Sequence, residues 1–402
     1  MRSLILFDDD NWKGLLPLTY TKPICELRVG ILTIREKWEK RLNLIASFIT
    51  QDFLSEKYPI VIDDDNIIIN STILPSDDLV SLIRKLNPNE ALLDGDELIA
   101  ARLNKSQLQL LTDDQPIDEL IGKDVKEQIG QVDQIIRPYD LFTHNAEEIK
   151  KDFSIITKGR TSQTLSETNR VLNLDQVFIE EGASIEFAIL NASNGPIYIG
   201  KNTKVMEGAI IRGPFAMNDY SQVNMGAKIY EGTTLGPHCK VGGEVKSSIL
   251  SGYCSKGHDG FLGDSVIGEW CNLGADTNSS NLKNNYDQVK VWNYTTEGFQ
   301  KSGLQFCGLI MGDHSKCGIN TMFNTGTVVG VSANIYGSGY PRNFVPSFAW
   351  GGKKGFMTYQ IKKSLDTAGR AMSRRNIKLT EIDKKILMHI FYYSARWRTW
   401  ES

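Results

Sequence analysis

The stretch from Ile199 to Val241, IGKNTKVMEGAIIRGPFAMNDYSQVNMGAKIYEGTTLGPHCKV, decides the fold because an apolar residue recurs at every sixth position along it. A helix, with period 3.6, or a strand, with period 2, would not keep this register without filling the intermediate positions. A fixed repeat is the signature of stacked structural units. We therefore predict a parallel β-helix of hexapeptide repeats, with its inward positions at Ile199, Val205, Ile211, Met217, Val223, Ile229, Leu235 and Val241.

The same period resumes further along the chain in a different phase, at Met311, Cys317, Phe323, Val329 and Ile335. The residues between the two series, roughly 243–310, must then contain insertions that loop out of the stack. Loops of this kind usually gather on one face of a repeat array and carry function. The repeat is clearest between Ile185 and Ile335, and we expect the complete β-helix domain to span residues 177–345.

The remainder of the chain has other textures, and 402 residues exceed what one hydrophobic core usually serves. In residues 1–153, apolar runs such as Leu4–Phe7 and Ile67–Ile69 alternate with helical patterns near 26–42, 76–86 and 103–111. This alternation predicts an α/β domain with a mostly parallel sheet. We expect a linker at 154–176 and a C-terminal helical tail at 346–402.

Composition excludes several classes of function. A net charge of −3 gives no basic field for nucleic acid, and no 18 apolar residues run together as a membrane span requires. Leu4–Phe7 is too short for the apolar core of a signal peptide. The six cysteines form no Cys-x-x-Cys pair, which favours reduced thiols. These features predict a cytoplasmic protein that acts on small molecules.

Residues 242–287 carry a set of fixed spacings between polar residues and glycines. A Glu-x-Lys strand is followed by a histidine, a Leu-Gly-Asp, an Asn-x-Gly-Ala-x-Thr and a further asparagine. The set resembles the acetyltransferase half of the bifunctional family that joins glucosamine-1-phosphate N-acetyltransferase to N-acetylglucosamine-1-phosphate uridyltransferase. The resemblance covers residues 197–340 and is greatest for divergent members with a short N-terminal domain, although Phe261 stands where the family often has tyrosine and Asp276 where it has glycine.

The resemblance implies a left-handed β-helix, a homotrimer with the acyl site at the subunit boundary, and roles for individual residues. His258 would be the general base, because acyl transfer to an amine needs a proton acceptor near neutral pH. Lys283, Lys228 and Arg212 are further cations that either contact the sugar phosphate or are exposed surface charges. The implied contacts are Lys246, Asn272 and Glu244 for the sugar phosphate, and Ala275, Thr277, Asn281 and Gly318 for acetyl-CoA.

Two segments of the first domain resemble sugar-phosphate nucleotidyltransferases. In GLLPLTYTKPICELRVG, residues 14–30, the lysine expected after Pro23 is replaced by Ile24, so Thr19, Lys22 and Arg28 become the candidates for nucleotide phosphates. In ALLDGDELIAARL, residues 91–103, the resemblance implies that Asp96 binds Mg²⁺, with Asp140 or Asn145 as a second ligand. A Gly-Asp pair alone is more often a β-turn. The acidic run Asp8–Asp10 is expected to be loop charge, although it follows the first strand, where a nucleotide would lie.

Together these features predict synthesis of UDP-N-acetylglucosamine from glucosamine 1-phosphate, acetyl-CoA and UTP, with Mg²⁺. Three alternatives stay open. The first domain could be degenerate, leaving a monofunctional acetyltransferase. The β-helix could only oligomerise or regulate a nucleotidyltransferase. The chain could also be a non-catalytic scaffold that keeps the repeat for assembly.

Overall fold

The structure, a computed structural model, describes residues 2–113, 115 and 120–401. The chain divides into two compact units. The first unit comprises residues 1–15, 22–27 and 32–137, and the second comprises residues 16–21, 28–31 and 138–402. The sequence places the boundary near residue 153 instead. The difference lies in helix α6 (Pro138–Ile156) and in the short segments 16–21 and 28–31, which all belong to the second unit.

The first unit is built on one mixed sheet with the strand order β2-β1-β3-β5-β4-β6. Strand β1 runs parallel to β2 and β3, and β4 runs parallel to β6, whereas β5 is antiparallel to both of its neighbours. The predicted α/β domain with a mostly parallel sheet is thereby confirmed. The strands are β1 Arg2–Phe7, β2 Ala46–Ile49, β3 Asp65–Asn70, β4 Glu90–Asp94, β5 Glu97–Asn104 and β6 Ile121–Asp124.

Helices of the first unit begin where the sequence supplies capping side chains. The hydroxyl of Thr33 accepts from the Glu36 amide while the Glu36 carboxylate accepts from the Thr33 amide, and Asn104 with Gln107 repeats this capping box. The α-helices are α1 Ile34–Leu42, α2 Asp52–Ser55, α3 Asp77–Arg84, α4 Lys105–Thr112 and α5 Val125–Ile129, with 3₁₀ turns at Asp10–Lys13 and Ile24–Glu26.

The second unit contains the parallel β-helix that the repeat predicts. Ile197 pairs with Phe215, and Phe215 with Thr233, so one coil takes 18 residues, or three hexapeptides. The strands stack into three sheets, which we call sheets I, II and III. Sheet I contains β7 Arg170–Leu172, β10 Ile189–Asn191, β13 Ile210–Arg212, β16 Lys228–Ile229, β19 Glu244–Lys246, β22 Phe261–Gly263, β25 Asn278–Ser279 and β30 Met322–Phe323.

Sheets II and III complete the three-sided coil, and their strands are parallel except for the terminal pair β34–β35. Sheet II contains β8 Val177–Ile179, β11 Ile197–Ile199, β14 Phe215–Met217, β17 Thr233–Leu235, β20 Ile249–Leu250, β23 Val266–Ile267, β28 Ile310–Met311, β31 Val328–Val329 and β33 Phe344–Val345. Sheet III contains β9 Ser184–Ile185, β12 Lys204–Val205, β15 Gln222–Val223, β18 Lys240–Val241, β21 Ser255–Lys256, β24 Asn272–Leu273, β29 Lys316–Cys317, β32 Asn334–Ile335, β34 Ala349–Gly352 and β35 Gly355–Thr358.

The change of phase in the repeat has two structural causes. Two consecutive coils are short, because Thr234 pairs with Ile249 after 15 residues and Ile249 pairs with Val266 after 17. A long insertion then leaves the stack after β25 and returns at β28, since Val266 pairs with Ile310. The predicted insertion is confirmed, and it carries its own antiparallel hairpin, β26 Lys290–Asn293 with β27 Gly298–Lys301.

A short segment near the N-terminus belongs to this second unit. The amide of Gly30 donates to Asn145 Oδ1 of α6 at 2.7 Å, and the carbonyl of Gly30 accepts from Thr234 Oγ1 at 2.9 Å. Gly30 has φ +81°, and a Cβ there would lie 2.5 Å from Asp152 Oδ2. Only glycine satisfies both the backbone conformation and the space. The C-terminal helices of the unit are α7 Ile361–Ser373 and α8 Glu381–Tyr393, followed by a 3₁₀ turn at Ser394–Trp397.

All six cysteines are free and buried, as the absence of paired motifs predicts. Several of them, including Cys239, Cys254 and Cys271, lie in the β-helix core, where they act as small apolar side chains. Among the described residues, no helix combines the length and the apolar composition that crossing a membrane requires.

Candidate active site

The outer face of sheet I carries four of the predicted sugar-phosphate residues. Lys228 and Glu244 are neighbours in register, and the strands place Arg212 and Lys246 in the adjacent outward row, two coils apart. At the usual spacing of parallel strands this is a separation of roughly 10 Å. The face therefore presents three cations and one carboxylate to a ligand lying across the coils.

His258 lies at the corner between sheets III and I, in the turn from β21 to β22. Its imidazole is exposed and makes no hydrogen bond within the part of the chain that the structure describes. By contrast, the carbonyls of the turn are all held. The donors are Asn224 Nδ2 to Gly257 O at 2.7 Å, Lys256 Nζ to His258 O at 3.0 Å, Asp276 N to Asp259 O at 3.1 Å and Glu244 N to Gly260 O at 3.2 Å.

Lys256 is the feature of this corner that the sequence analysis missed. It pairs with Val241 at an inward position of the coil, and it is only 1 % exposed. Its ammonium donates to the carbonyls of Gly242, at 2.9 Å, and His258. Burial lowers the pKa of Lys256 to about 8, against the opposing effect of Asp259 and Asp276. The turn that carries the imidazole is thus anchored from inside the β-helix by a buried cation.

The corner requires unusual backbone conformations. Gly260 has φ +112°, and a Cβ there would lie 2.2 Å from the carbonyl oxygen of Thr277 in the next coil. No other residue fits this approach. Asp276, which stands where the resembled family has glycine, has φ +55°, a conformation that aspartate tolerates better than most side chains.

Small residues continue the corner beyond His258. Ala275 takes the position of His258 in the next coil, and Gly318 lies one position earlier in the coil after that, where Asn320 N donates to Ala275 O at 2.8 Å. Backbone approaches closely here, since a Cβ on Gly274 would lie 2.5 Å from the carbonyl carbon of Gly318. Thr277 is buried, and its hydroxyl donates to Gly274 O at 2.7 Å, so it supports the turn from inside.

The predicted residues near the insertion form a second small network. Asn281 Nδ2 donates to Asp264 Oδ2 at 2.6 Å, and Lys246 Nζ lies 5.8 Å from the centre of the Phe306 ring. Burial raises the pKa of Asp264, while Asn281 and Lys246 oppose that rise. Asn281 therefore lies near Lys246, on the cationic outer face of sheet I.

Two predicted sugar-phosphate residues lie apart from this face. Asn272 is exposed on sheet III, where it pairs with Ser255 and Lys316. Lys283, inside the insertion, donates to the carbonyl of Gln288 at 2.8 Å. The structure thus groups Arg212, Lys228, Glu244 and Lys246 on sheet I, and His258, Ala275 and Gly318 along the adjoining corner.

In the first unit, a polar network occupies the carboxyl ends of β1 and β3, where ligands bind in open α/β sheets. Asn70 Nδ2 donates to Asp9 Oδ2 at 2.9 Å and to Glu97 Oε1 at 3.4 Å. Asp8 accepts from Thr50 Oγ1 at 2.7 Å, and burial raises the pKa of Asp8 to about 7. The sequence predicts loop charge for the Asp8–Asp10 run. The structure corrects this for Asp8 and Asp9, which are hydrogen-bonded to Thr50 and Asn70, whereas Asp10 is exposed.

The residues predicted for the nucleotide phosphates are Thr19, Lys22 and Arg28. Thr19 and Lys22 are buried, and Arg28 donates to the carbonyl of Ile31. The segment that resembles a phosphate loop is in part bound into the second unit, where Thr21 Oγ1 donates to Asp313 Oδ2 at 2.5 Å.

The predicted metal ligands belong to different units. Asp96 occupies the two-residue turn between the antiparallel strands β4 and β5, and Asp140 lies in the first turn of α6, which belongs to the other unit. The neighbouring Asp94 forms an ion pair with Lys126 at 2.5 Å. Within the described residues no three or more acidic, histidine or cysteine side chains cluster as a metal site. The Gly-Asp pair is therefore a hairpin turn, the reading that the isolated motif favours.

Parts of the chain are similar to known proteins. Residues 4–161 match the family model described as sugar nucleotidyl transferase. A stretch of 87 residues is 38% identical to the "Bifunctional protein GlmU" of Methanocaldococcus jannaschii, and a stretch of 94 residues is 36% identical to a "Bifunctional sugar-1-phosphate nucleotidylyltransferase/acetyltransferase" of Sulfurisphaera tokodaii. The chain is thus similar in part to these bifunctional proteins. The family resemblance inferred from the spacing of His258 and its neighbours is thereby confirmed.

These relatives are matched only in part. The M. jannaschii alignment covers 22% of this chain and 21% of the relative, and the "Uncharacterized acetyltransferase YaiX" of Escherichia coli is 28% identical over 40% of this chain and 65% of its own length. Among solved structures, the polySia-specific acetyltransferase NeuO aligns with 52% of this chain and 99% of its own at 13% identity and a TM-score of 0.28. An Arabidopsis UDP-N-acetylglucosamine acyltransferase aligns with a TM-score of 0.24.

Proposed function

We propose that this chain is a bifunctional transferase that acetylates glucosamine 1-phosphate with acetyl-CoA and then transfers a uridylyl group from UTP to the product, forming UDP-N-acetylglucosamine. The observation that carries the proposal is the exposed imidazole of His258 on a rigid corner, with a cationic sheet face on one side and small residues along the corner. Such an arrangement brings a phosphate clamp, a base and room for a thioester together.

In the acetyl transfer, Arg212, Lys228 and Lys246 would hold the phosphate of the amino sugar on sheet I. The sugar nitrogen attacks the thioester carbonyl, a C–N bond forms, and the C–S bond breaks to release the thiolate of coenzyme A. His258 accepts the proton that the nitrogen loses and passes it to the departing sulfur. Ala275 and Gly318 leave space for the pantetheine chain to run along the corner beside the backbone.

In the nucleotidyl transfer, the carboxyl ends of β1 and β3 would receive UTP. Asp9 and Glu97 are the hard oxygen donors that fit Mg²⁺, which is commonly bound by one or two carboxylates together with substrate phosphates, and which would neutralise the triphosphate. Asn70 holds both carboxylates in place through its amide. Catalysis of this step depends mainly on positioning and charge, so the protein needs little covalent chemistry.

We further propose a homotrimer, supported by exposed apolar side chains on the corner that carries His258. Phe187, Met225 and Ile319 are exposed by 63%, 66% and 70%, and they follow β9, β15 and β29 at the position that His258 takes after β21. A column of large apolar side chains in water marks a surface that another chain covers. A neighbouring copy would then complete the acyl site.

The test separates the two activities. The full chain is incubated with glucosamine 1-phosphate, acetyl-CoA, UTP and Mg²⁺, and free thiol and pyrophosphate are followed separately. We expect both products. Lys246→Gln should raise the KM for glucosamine 1-phosphate about ten-fold through the lost charge-assisted contact, while Lys204→Gln on sheet III serves as the matched control. Asp9→Asn should abolish pyrophosphate release alone.

Thiol release without pyrophosphate would establish the second candidate function, a monofunctional acetyltransferase. One observation favours that candidate, namely the burial of Thr19 and Lys22 in the segment expected to bind phosphates. Pyrophosphate release from added N-acetylglucosamine 1-phosphate without thiol release, or the absence of both products, would contradict the acetyltransferase assignment.

A further inference from the structure

A cavity of about 810 Å³ lies in the second unit, and His258 is not among the described residues that line it. Its walls come from the insertion hairpin β26–β27, from the start of β33 and from the C-terminal residues 396–400. Its volume is in the range of natural small-molecule sites, 300–1,000 Å³. None of the roles proposed above uses this cavity, and the inference that follows does not depend on the proposed function.

One wall of the cavity is aromatic and already assembled. Trp292 and Phe344 stack with ring centres 4.1 Å apart and planes 8° from parallel, and Phe299 meets Trp292 edge-on at 5.4 Å. Behind them Tyr294 contacts both Phe344, at 5.5 Å, and Trp397, at 5.0 Å. Because these rings hold one another, the wall needs no rearrangement to receive a flat ligand.

The rim of the cavity is cationic. Lys290 and Arg342 line it with exposed side chains that form no ion pair with any described residue. Two other cations are already engaged, Lys283 with the carbonyl of Gln288 and Arg396 with Glu297 at 3.2 Å. None of the described residues that line the cavity is acidic. The unpaired positive charge therefore has no counterpart within the cavity itself.

We propose that this cavity binds a nucleotide, with its base against the Trp292–Phe344 wall and its phosphates on Lys290 and Arg342. Any nucleobase can stack on an aromatic ring, and the guanidinium of Arg342 and the ammonium of Lys290 can both bind phosphate oxygens. Two sources share this chemistry: the 3′-phosphoadenosine diphosphate end of a coenzyme A molecule, and a free uridine nucleotide. The geometry of the wall and rim fits both sources.

Calorimetric titration of the full chain tests the proposal with four probes, which are 3′,5′-ADP, UDP, adenosine and pyrophosphate. We expect at least one of the two nucleotides to bind at least ten times more tightly than adenosine, which lacks phosphate, and than pyrophosphate, which lacks a base. The nucleotide that binds identifies the source. Equal binding of pyrophosphate would reduce the site to an anion patch and overturn the proposal.

Variants locate the binding in this cavity, because UDP could also bind to the first unit. The double variant Lys290→Gln with Arg342→Gln should lower the affinity for the nucleotide ten-fold or more. Both positions are exposed, so folding is preserved. The matched control is Lys362→Gln with Arg370→Gln, in the groove beside α7, which removes the same charge where no aromatic residue lines the surface. Unchanged affinity in the first pair, or an equal loss in the control, would contradict the proposal, as would the absence of binding by both nucleotides.

Discussion

Lys256 shows how one residue can serve a neighbour from inside the core. A buried ammonium is costly, and it persists here with two carbonyl acceptors, one of them on His258 itself. The repeat could not predict it, because the period assigns an apolar residue to this position. The role of His258 stays a prediction from the polar motif around it, whose spacing is independent of the packing.

The buried lysine makes stability depend on pH in a defined direction. Its folded pKa is about 8, below the value of about 10.4 in an unfolded chain. Between these values the unfolded state binds more protons, so the free energy of unfolding rises with pH, by about 3 kcal/mol in total for this group. Below pH 8 this gain in unfolding free energy is absent, because Lys256 is protonated in both the folded and the unfolded state.

We therefore predict that Lys256→Met removes this rise. Unfolding by urea should be measured for both proteins at pH 7, 8, 9 and 10. The difference in unfolding free energy, wild type minus variant, should increase steadily from pH 8 to pH 10. Parallel curves for the two proteins would show that Lys256 does not titrate in this range.

At the scale of elements, the corner of the coil depends on glycine. Gly260 and Gly226 both have positive φ in the same column of turns, but a Cβ at Gly226 would meet nothing within 4 Å, whereas a Cβ at Gly260 would meet the Thr277 carbonyl. Gly226→Ala should lower the stability only by the energy that alanine needs to adopt the left-handed conformation, roughly 1–2 kcal/mol. Gly260→Ala should cost more, because the coils must also separate.

The measurement is thermal unfolding of the two alanine variants, with thiol release under saturating substrates as a second readout. Gly260→Ala should lose both more stability and more acetyl transfer, since it displaces the turn that carries His258. If Gly226→Ala lost as much stability and as much acetyl transfer as Gly260→Ala, the close approach of the coils at Gly260 would not explain the losses.

The elements differ in how far the sequence could predict them. The six-residue period gave the β-helix and the insertion because it reports directly on which side chains face inward. The reversal of β5 was not predictable, since strand direction depends on the turn Gly95–Asp96 and not on the apolar run that follows it. The same turn explains why Asp96 resembled a metal ligand in sequence. The ends of β1 and β3, with Asp9 and Glu97, become a site only when the sheet brings them together.

At the scale of the whole molecule, the assignment of α6 to the β-helix unit was beyond the sequence analysis. Its amphipathic pattern shows that it packs against something, but not what it packs against. Hydrogen bonds join α6 to the β-helix. Asn145 donates to Gly232 O at 2.8 Å and to Thr234 Oγ1 at 3.0 Å, and these residues are far apart in the chain.

For the whole molecule we predict that the trimer depends on the exposed apolar corner. Ile319→Glu places a charge in the proposed interface, where burying it without a partner is unfavourable, so the trimer should dissociate. Ile45→Glu is the matched control, because Ile45 is 88% exposed on the first unit, outside the proposed interface. The mass in solution, measured by light scattering, should fall to that of smaller species only for Ile319→Glu, with acetyl transfer falling in parallel. A wild-type monomer with full activity would contradict the shared site.

The most direct measurement follows the acetyl group itself. The chain is supplied with glucosamine 1-phosphate and ¹³C-acetyl-CoA, and the mass of the sugar phosphate is recorded over time for the wild type, for His258→Ala, and for His144→Ala on α6 as a control. We predict that the wild type and His144→Ala transfer the label to the sugar nitrogen, and that His258→Ala is slower by about 10²–10⁴-fold, as expected when a general base is lost. Labelled product at the wild-type rate from His258→Ala, or no labelled product from the wild type, would contradict the proposed acetyl transfer at this corner.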